Sequence, residues 1–371
     1  MRYLLLFLDC CDKIVASGKN YYEKGKIMKS LKEREWFFSQ EKEALVSTPP
    51  TLIYNPDPHY DMYRLKTTRH LIADINLDFG LGLERPFIIG AVADLHCNVC
   101  NQADRLDEEL VYTEQCRKWP ENLKWVAALV KSLDACDFCD ATVILGDTLD
   151  YLSGGSLAYV TANVFKKYPN AMVALGGHDH TKQMQTGKPD LLPLEERLDM
   201  LRAVWPHDIH YYSRELAGKI IAVVLDNSQS KYLPCQVEKL EADINRAREE
   251  GKKILIFQHE PIISKNPKEE VVRAVIENSG SHKTKNIGVD PIIIGGADRC
   301  DEITVKVYDL ITKNADVVKA IFTGHWHSQF YSEVVASYES NGETVPAFIP
   351  QYVISGNPYH ENGFVARIIL K

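Results

Sequence analysis

The 371 residues are 45% apolar and 25% charged, the balance of a globular protein long enough for roughly two domains. A net charge of −8 offers no general attraction to nucleic acid or to anionic membrane surfaces. Nine cysteines, an odd number in so long a chain, do not make a disulfide framework and fit a reducing cytoplasm.

The chain opens on MRYLLLFLDCC, whose apolar run from Tyr3 to Leu8 is too short for a membrane span and lacks the cleavage site of a secretory leader. It reads as a first strand. Residues 12–47 are rich in Lys and Glu, with Ile27, Leu31, Trp36 and Phe37 as scattered apolar positions, which predicts one or two amphipathic helices. Pro49, Pro50, Pro56 and Pro58 mark an irregular connector, and His70 to Leu77 alternates as a strand does. Residues 1–80 are thus set apart as an N-terminal extension, and 81–371 as the main domain.

From about residue 86 the texture changes to short apolar runs separated by helical stretches. The runs are FIIGAVAD (87–94), ATVILGD (141–147), AMVALGGHD (171–179), KIIAVVLD (219–226), KILIFQH (253–259) and VKAIFTGHWH (318–327). Strands this continuously apolar are expected where both faces of a sheet are covered. Between them, Val237, Leu240, Ile244 and Ala247 fall at helical spacing before Gly251 as a stop, and 193–205 and 269–278 are likewise helical. Residues 281–301 read as an irregular insertion. After residue 328 the runs FYSEVVASY, AFIPQYVIS and GFVARIIL predict antiparallel strands that close a sheet. The fold class is α/β, with two packed mixed β-sheets flanked by helices.

Every one of the six runs ends in Asp or His, and ligand sites in α/β sheets gather beyond the carboxyl ends of strands. The collected set is Asp94, His96, Asp147, His178, Asp179, Asp226, His259, His325 and His327. Asp94/His96 and His325/His327 are two residues apart, a spacing that in extended backbone turns both side chains to one side, so that each pair could grip one ion. Mixed imidazole and carboxylate donors suit Mn, Fe or Zn. Cys97-x-x-Cys100 and Cys136-x-x-Cys139 are discounted as a shared zinc site, because they belong to opposite ends of neighbouring strands. No phosphate-binding glycine loop and no G-x-S-x-G elbow occurs.

The order and context of these residues resemble the calcineurin-like metallophosphoesterases, whose blocks run D-x-H, G-D, G-N-H-[DE], H and G-H-x-H. Here they stand as Asp94-Leu95-His96, Gly146-Asp147, Gly176-Gly177-His178-Asp179, His259 and Gly324-His325-Trp326-His327. The resemblance implies a metallophosphoesterase-like αββα sandwich that hydrolyses phosphoric esters with two divalent or trivalent metal ions. It implies Asp94, His96, Asp147 and His327 on the first ion, with Asp147 bridging to a second that His259 and His325 also hold. A hydroxide between the ions would attack phosphorus. His178 would protonate the leaving oxygen, with Asp179 holding its imidazole.

The chain departs from the pattern at Gly177, where the family carries an asparagine ligand of the second metal. Water, His180 or Asn227 could fill that position. In GDTLDY the arginine of the protein phosphatases is absent, and Asp150 stands where purple acid phosphatases have a tyrosine ligand. It reads as a surface or supporting residue. Asp226 fits either a ligand-orienting or a turn role, and Trp326 and Tyr151 either line the cleft or pack. The expected substrate is a small phosphomonoester or phosphodiester, not nucleic acid or a membrane, and the expected compartment is the cytoplasm. The rival reading is a non-catalytic or one-metal scaffold that keeps the fold to bind partners. His178 argues against it, since a scaffold needs no leaving-group acid.

Overall fold

The computed structural model describes residues 61–63, 71–116, 133–137, 139–182, 190–262, 301–327, 329–354, 356 and 364–371. The strand at 3–8, the amphipathic stretch 12–47, the proline connector, the helix at 269–278 and all of the insertion at 281–301 except Asp301 lie outside the described residues.

The apolar runs become strands buried on both faces. In chain order the first are β1 (Asp61–Tyr63), β2 (Leu71–Leu77), β3 (Phe87–Val92), β4 (Ala141–Leu145) and β5 (Met172–Ala174). There follow β6 (Tyr211–Leu216), β7 (Ile220–Leu225), β8 (Lys253–Phe257), β9 (Val318–Thr323), β10 (Phe330–Ser340), β11 (Glu343–Val353) and β12 (Phe364–Leu370). They form two six-stranded mixed sheets, ordered β1-β2-β12-β3-β4-β5 and β10-β11-β9-β8-β7-β6.

Alternation divides each strand between two cores. Val143 and Leu145 of the first sheet, and Ile220, Ala222 and Val224 of the second, meet in one central cluster with Phe257 and Phe322. Ile144 and Val173 face the opposite way, into a layer with Leu157, Leu198 and Leu201. Ile221, Val223 and Leu225 do the same beneath Leu240, Ile244 and Ile311. Those outer layers belong to helices, of which α1 (Glu108–Cys116), α2 (Gly154–Val160), α3 (Leu194–Arg202), α4 (Pro234–Glu249) and α5 (Glu302–Thr312) are described. Each aliphatic side chain so buried contributes about 1.5–3 kcal/mol before chain entropy is counted, which is why the runs tolerate so few polar residues.

Local chemistry sets the helix ends. Pro234 occupies the first turn of α4, where no amide is needed, and the Gln236 side chain accepts the Leu233 N–H at 2.6 Å. Gly251, at φ +66°, closes the helix as expected. Ser153 caps α2 and Asp301 caps α5, each accepting an amide N–H three residues on.

Three expectations change. First, β1 and β2 precede residue 81 yet are strands of the first sheet, so the division at residue 80 cuts through that sheet. Second, the closing strands do not form one antiparallel set. β11 runs antiparallel to β10 but parallel to β9, and β12 crosses to the first sheet, parallel to β2 and antiparallel to β3. Arg367 of β12 lies opposite Asp74 of β2 and grips it with two bonds, at 2.7 and 2.9 Å. Third, β6 has no counterpart among the expected strands. It is an edge strand of half-polar sequence, YYSREL, and lacks the apolar signature of a fully covered one.

The four cysteines of the two C-x-x-C pairs are buried and in no disulfide, and among the described residues no group able to hold a metal includes a cysteine.

Candidate metal centre

Sharp turns, not extended backbone, gather the site. β3, β4 and β9 end at Val92, Leu145 and Thr323, and the chain beyond each bends at once into the left-handed region. Asp94 (φ 51°), His96 (45°), Asp147 (47°), His325 (74°) and His327 (51°) are all there. Alternation along an extended strand, expected to align Asp94 with His96 and His325 with His327, is therefore not what places them. Left-handed turns after the strands do the aligning. Such conformations cost non-glycine residues about 1–3 kcal/mol each and persist only where the surroundings over-determine them. Here the loops brace one another: the amides of Asp94, His96 and Cys97 donate to the carbonyls of Gly146, Asp147 and Thr148 at 2.9–3.0 Å. Gly146, at φ +83°, has no room for a side chain, since a Cβ would stand 2.5 Å from His259 Nδ1.

Three groups of mutually close donors result, each within 4.8 Å: Asp94, His96, Asp147 and His327; Asp147, His259 and His325; and His96, Asp150 and His178. Asp147 belongs to the first two. His325 and His327, two residues apart, serve different groups. The facing atoms are closely set. His96 Nε2 lies 3.0 Å from His327 Nε2, and His259 Nε2 lies 3.2 Å from both His325 Nδ1 and Asp147 Oδ2. His327 Nε2 is 3.5 Å from Asp94 Oδ1.

Ring nitrogens aimed at one another across 3.0 Å are what a cation between them would organise, and the outer hydrogen bonds agree. His96 Nδ1 donates to Asp150 Oδ1 at 2.9 Å and His259 Nδ1 donates to the Leu145 carbonyl at 2.7 Å. Carboxylate and carbonyl oxygens can only accept, so each bond places a proton on Nδ1 and turns Nε2 toward the cluster as the nitrogen that would ligate. The donor set fits Mn, Fe or Zn.

Electrostatics lean the same way. Burial would raise the Asp147 carboxyl, but the imidazoles of His259, His178 and His96 more than offset it and hold the group well below the usual carboxylate range. Burial would lower His259, yet the charge of Asp147 and the hydrogen bond to it push the ring up to about 10. The cluster is thus an ion pair awaiting a cation that displaces the proton.

Around His178 the expected assignment is corrected. Asp179 does not hold its imidazole: both Asp179 oxygens accept main-chain amides, from Leu149 at 2.7 Å and Gly176 at 2.8 Å, and latch two strand-end loops together. Burial, then Asp147, push its carboxyl up to about 8. The His178 ring is held instead by Asp150, whose carbonyl accepts from Nδ1 at 2.8 Å and whose Oδ1 lies 3.6 Å away. Of the two places expected for Asp150, surface or supporting, it takes the second. It is buried, and one carboxylate serves both His96 and His178. Asp150→Ala is expected to weaken metal binding about 10–100-fold, as loss of an imidazole's outer partner does, while thermal unfolding stays cooperative. Equilibrium dialysis with metal analysis checks it.

Asp226 takes the turn role, accepting from Ser228 N and Oγ at 3.0 and 2.7 Å and from His210 Nδ1 at 2.7 Å. Tyr151 and Trp326 are buried, the latter edge-on to His325. Asn227 is spent on the main chain of Glu260, donating to its carbonyl at 2.9 Å and accepting its amide at 3.1 Å. His180 is buried, and that burial lowers its ring below the ordinary histidine value.

No curated protein matches the chain. Among solved structures it is similar to a dimetal phosphatase from Danio rerio, at 15% identity over 74% of this chain and 88% of that one, with a TM-score of 0.41. It is also similar to a phosphopantetheinyl hydrolase from Mycobacterium tuberculosis (10% identity, 73% and 89% covered, TM-score 0.33) and a calcineurin-like phosphoesterase from Bacillus subtilis (16%, 73% and 81%, 0.32). No statement about substrate rests on likenesses this distant. The family model for calcineurin-like phosphoesterase matches residues 87–329, the stretch from β3 to the turn carrying His325 and His327. With the donor residues falling inside that match, the chain belongs to the calcineurin-like phosphoesterase family, whose members are phosphoric ester hydrolases.

Proposed function

We propose that the protein hydrolyses a small phosphomonoester or phosphodiester at a centre of two metal ions. Asp94, His96, Asp147 and His327 hold one, and Asp147, His259 and His325 the other. The observation that carries this reading is Asp147, a buried carboxylate shared by two adjoining donor groups. Bound there, the cations would act as Lewis acids on the phosphoryl oxygens and supply at neutral pH an oxygen nucleophile from water.

The chain's own residues do the rest. The Asp94 carboxylate accepts the His325 amide at 3.1 Å, and Asp147 Oδ1 accepts the His178 amide at 2.9 Å. Those main-chain bonds fix each loop against its neighbour, so the donors need little reorganisation to bind. With Nδ1 of His178 committed to the Asp150 carbonyl, its second ring nitrogen is the one that hands a proton to the leaving oxygen. Asp179 is a positioning residue that ties the β4 loop to the β5 loop. The absence of a disulfide among the described cysteines and the charge of −8 support a reducing cytoplasm and a small anionic substrate held by metal, not a polynucleotide. No described helix is long and apolar enough to cross a membrane.

Hydrolysis of p-nitrophenyl phosphate and bis-p-nitrophenyl phosphate is the test, with stripped protein and with added Mn or Zn. Metal-dependent turnover of either compound is expected, and preference between them separates monoesterase from diesterase. Absence of metal-dependent turnover on both would leave the scaffold reading.

Metal uptake should also release protons. His259 stands protonated up to about pH 10 in the metal-free protein, whereas a ligating imidazole must be neutral. Affinity therefore rises with pH through the neutral range, by up to about tenfold per pH unit for each proton displaced. Titration calorimetry in two buffers of different ionisation enthalpy measures that release directly.

A further inference from the structure

One donor group brings four side chains, but the group of Asp147, His259 and His325 brings three. Beside it lies Gly177, whose φ of −61° and ψ of −38° any residue adopts. A Cβ built there would meet only the Ser228 carbonyl, at an ordinary 3.4 Å. Neither backbone nor packing calls for glycine at this place, and what the missing side chain leaves is open space against the Ser228 main chain.

His180 stands three residues on in the same 3-10 turn, and both its ring and a Cβ at 177 approach the Ser228 main chain. It is 8% exposed, its ring nitrogens have no well-formed hydrogen bond beyond that approach to the Ser228 main chain, and the charge of Asp147 acts on it. Leaving a buried polar group poorly paired is costly, and in native folds such a group calls for an ion or a water. Of the other polar side chains nearby, Asn227 is occupied by Glu260 and Asp226 by Ser228 and His210, while buried Glu260 keeps one oxygen, Oε2, unpaired. The main chain of the turn is pinned by Arg197, which donates to the His180 carbonyl. Only the ring is left to move.

We infer that His180 is the fourth protein ligand of the cation held by Asp147, His259 and His325, its imidazole turning about χ1 into the space beside Gly177. The inference rests on the two-metal reading above. A ring rotation is part of it, because His180 is not within the close group as it stands.

The test is metal stoichiometry and affinity, by equilibrium dialysis against Mn or Zn, on wild type, His325→Ala, His180→Ala and the double variant His180→Ala/Gly177→Asn. Wild type should take up two equivalents. Both single variants should keep one tight equivalent and bind the second about 10–100-fold more weakly. The double variant should recover most of that loss, since an asparagine at 177 fits and offers an amide oxygen. Cobalt-loaded wild type and His180→Gln should differ in their visible absorption bands, a readout that also serves if His180→Ala does not fold. Second-site affinity in His180→Ala or His180→Gln within about threefold of wild type, with His325→Ala impaired, would overturn this assignment alone. A single equivalent in wild type would overturn it together with the two-metal reading.

Discussion

Asp147→Asn is expected to lower metal-dependent turnover at least about a thousandfold, or about 4 kcal/mol of barrier, and to abolish uptake of the second cation. The substitution keeps the shape of the side chain, so the effect isolates charge. In the wild type a carboxylate buried among His259, His178 and His96 supplies the negative charge that both donor groups share. An amide supplies one weak donor oxygen and sets an NH2 against an imidazole nitrogen 3.2 Å from the wild-type oxygen. Both cations then face neutral imidazoles, with Asp94 as the one carboxylate left between the two groups. Steady-state kinetics on the p-nitrophenyl esters and metal analysis of the purified variant decide the matter. A variant that holds two equivalents and keeps more than a tenth of wild-type turnover would remove Asp147 from the centre.

The second large effect is expected at His178, and it depends on the substrate. A leaving alkoxide must be protonated as it departs, so His178→Gln should lower kcat about 10²–10⁴-fold on an alkyl phosphate, the range of general acid catalysis. p-Nitrophenolate leaves readily without a proton, and on that ester the loss should be within about tenfold. Glutamine still reaches the Asp150 carbonyl, which limits disturbance of the loop. Rates across a series of leaving groups, for wild type and variant, give the measurement: the variant's dependence on leaving-group basicity should steepen. An equal loss on every ester would mean that His178 binds substrate and does not donate to it.

Much of the site was legible because its residues sit where strands stop. Asp94, Asp147, His259 and His325 each follow an apolar run whose length and composition mark it as a covered strand, and strand ends of one sense converge at one edge. The layered fold was legible for the same reason, since Val143 and Ile144 can both be buried only when cores lie on both faces. What escaped depends on contacts that no periodicity encodes. Left-handed backbone at Asp94 or His96 is chosen by bonds to a loop far off in sequence. Asp150 gave a signal, three residues beyond Asp147 in GDTLDY, but its spacing does not say that the turn folds it under His96. Asp179 was misassigned because adjacency to His178 suggested contact, whereas the tight turn after β5 sends its carboxylate back to amides. β6 escaped because an edge strand may be half polar.

The place of β12 has a consequence for how the molecule comes into being. β12 lies between β2 and β3, so the pair β1–β2 joins the rest of its sheet only through residues 364–370. Pairing Leu71 with Phe364 brings together residues far apart in sequence, and non-local contacts of that kind are slow to form. Until β12 is in place, β2 and β3 each present an unpaired edge in this half of the molecule, the kind of edge through which partly folded chains associate.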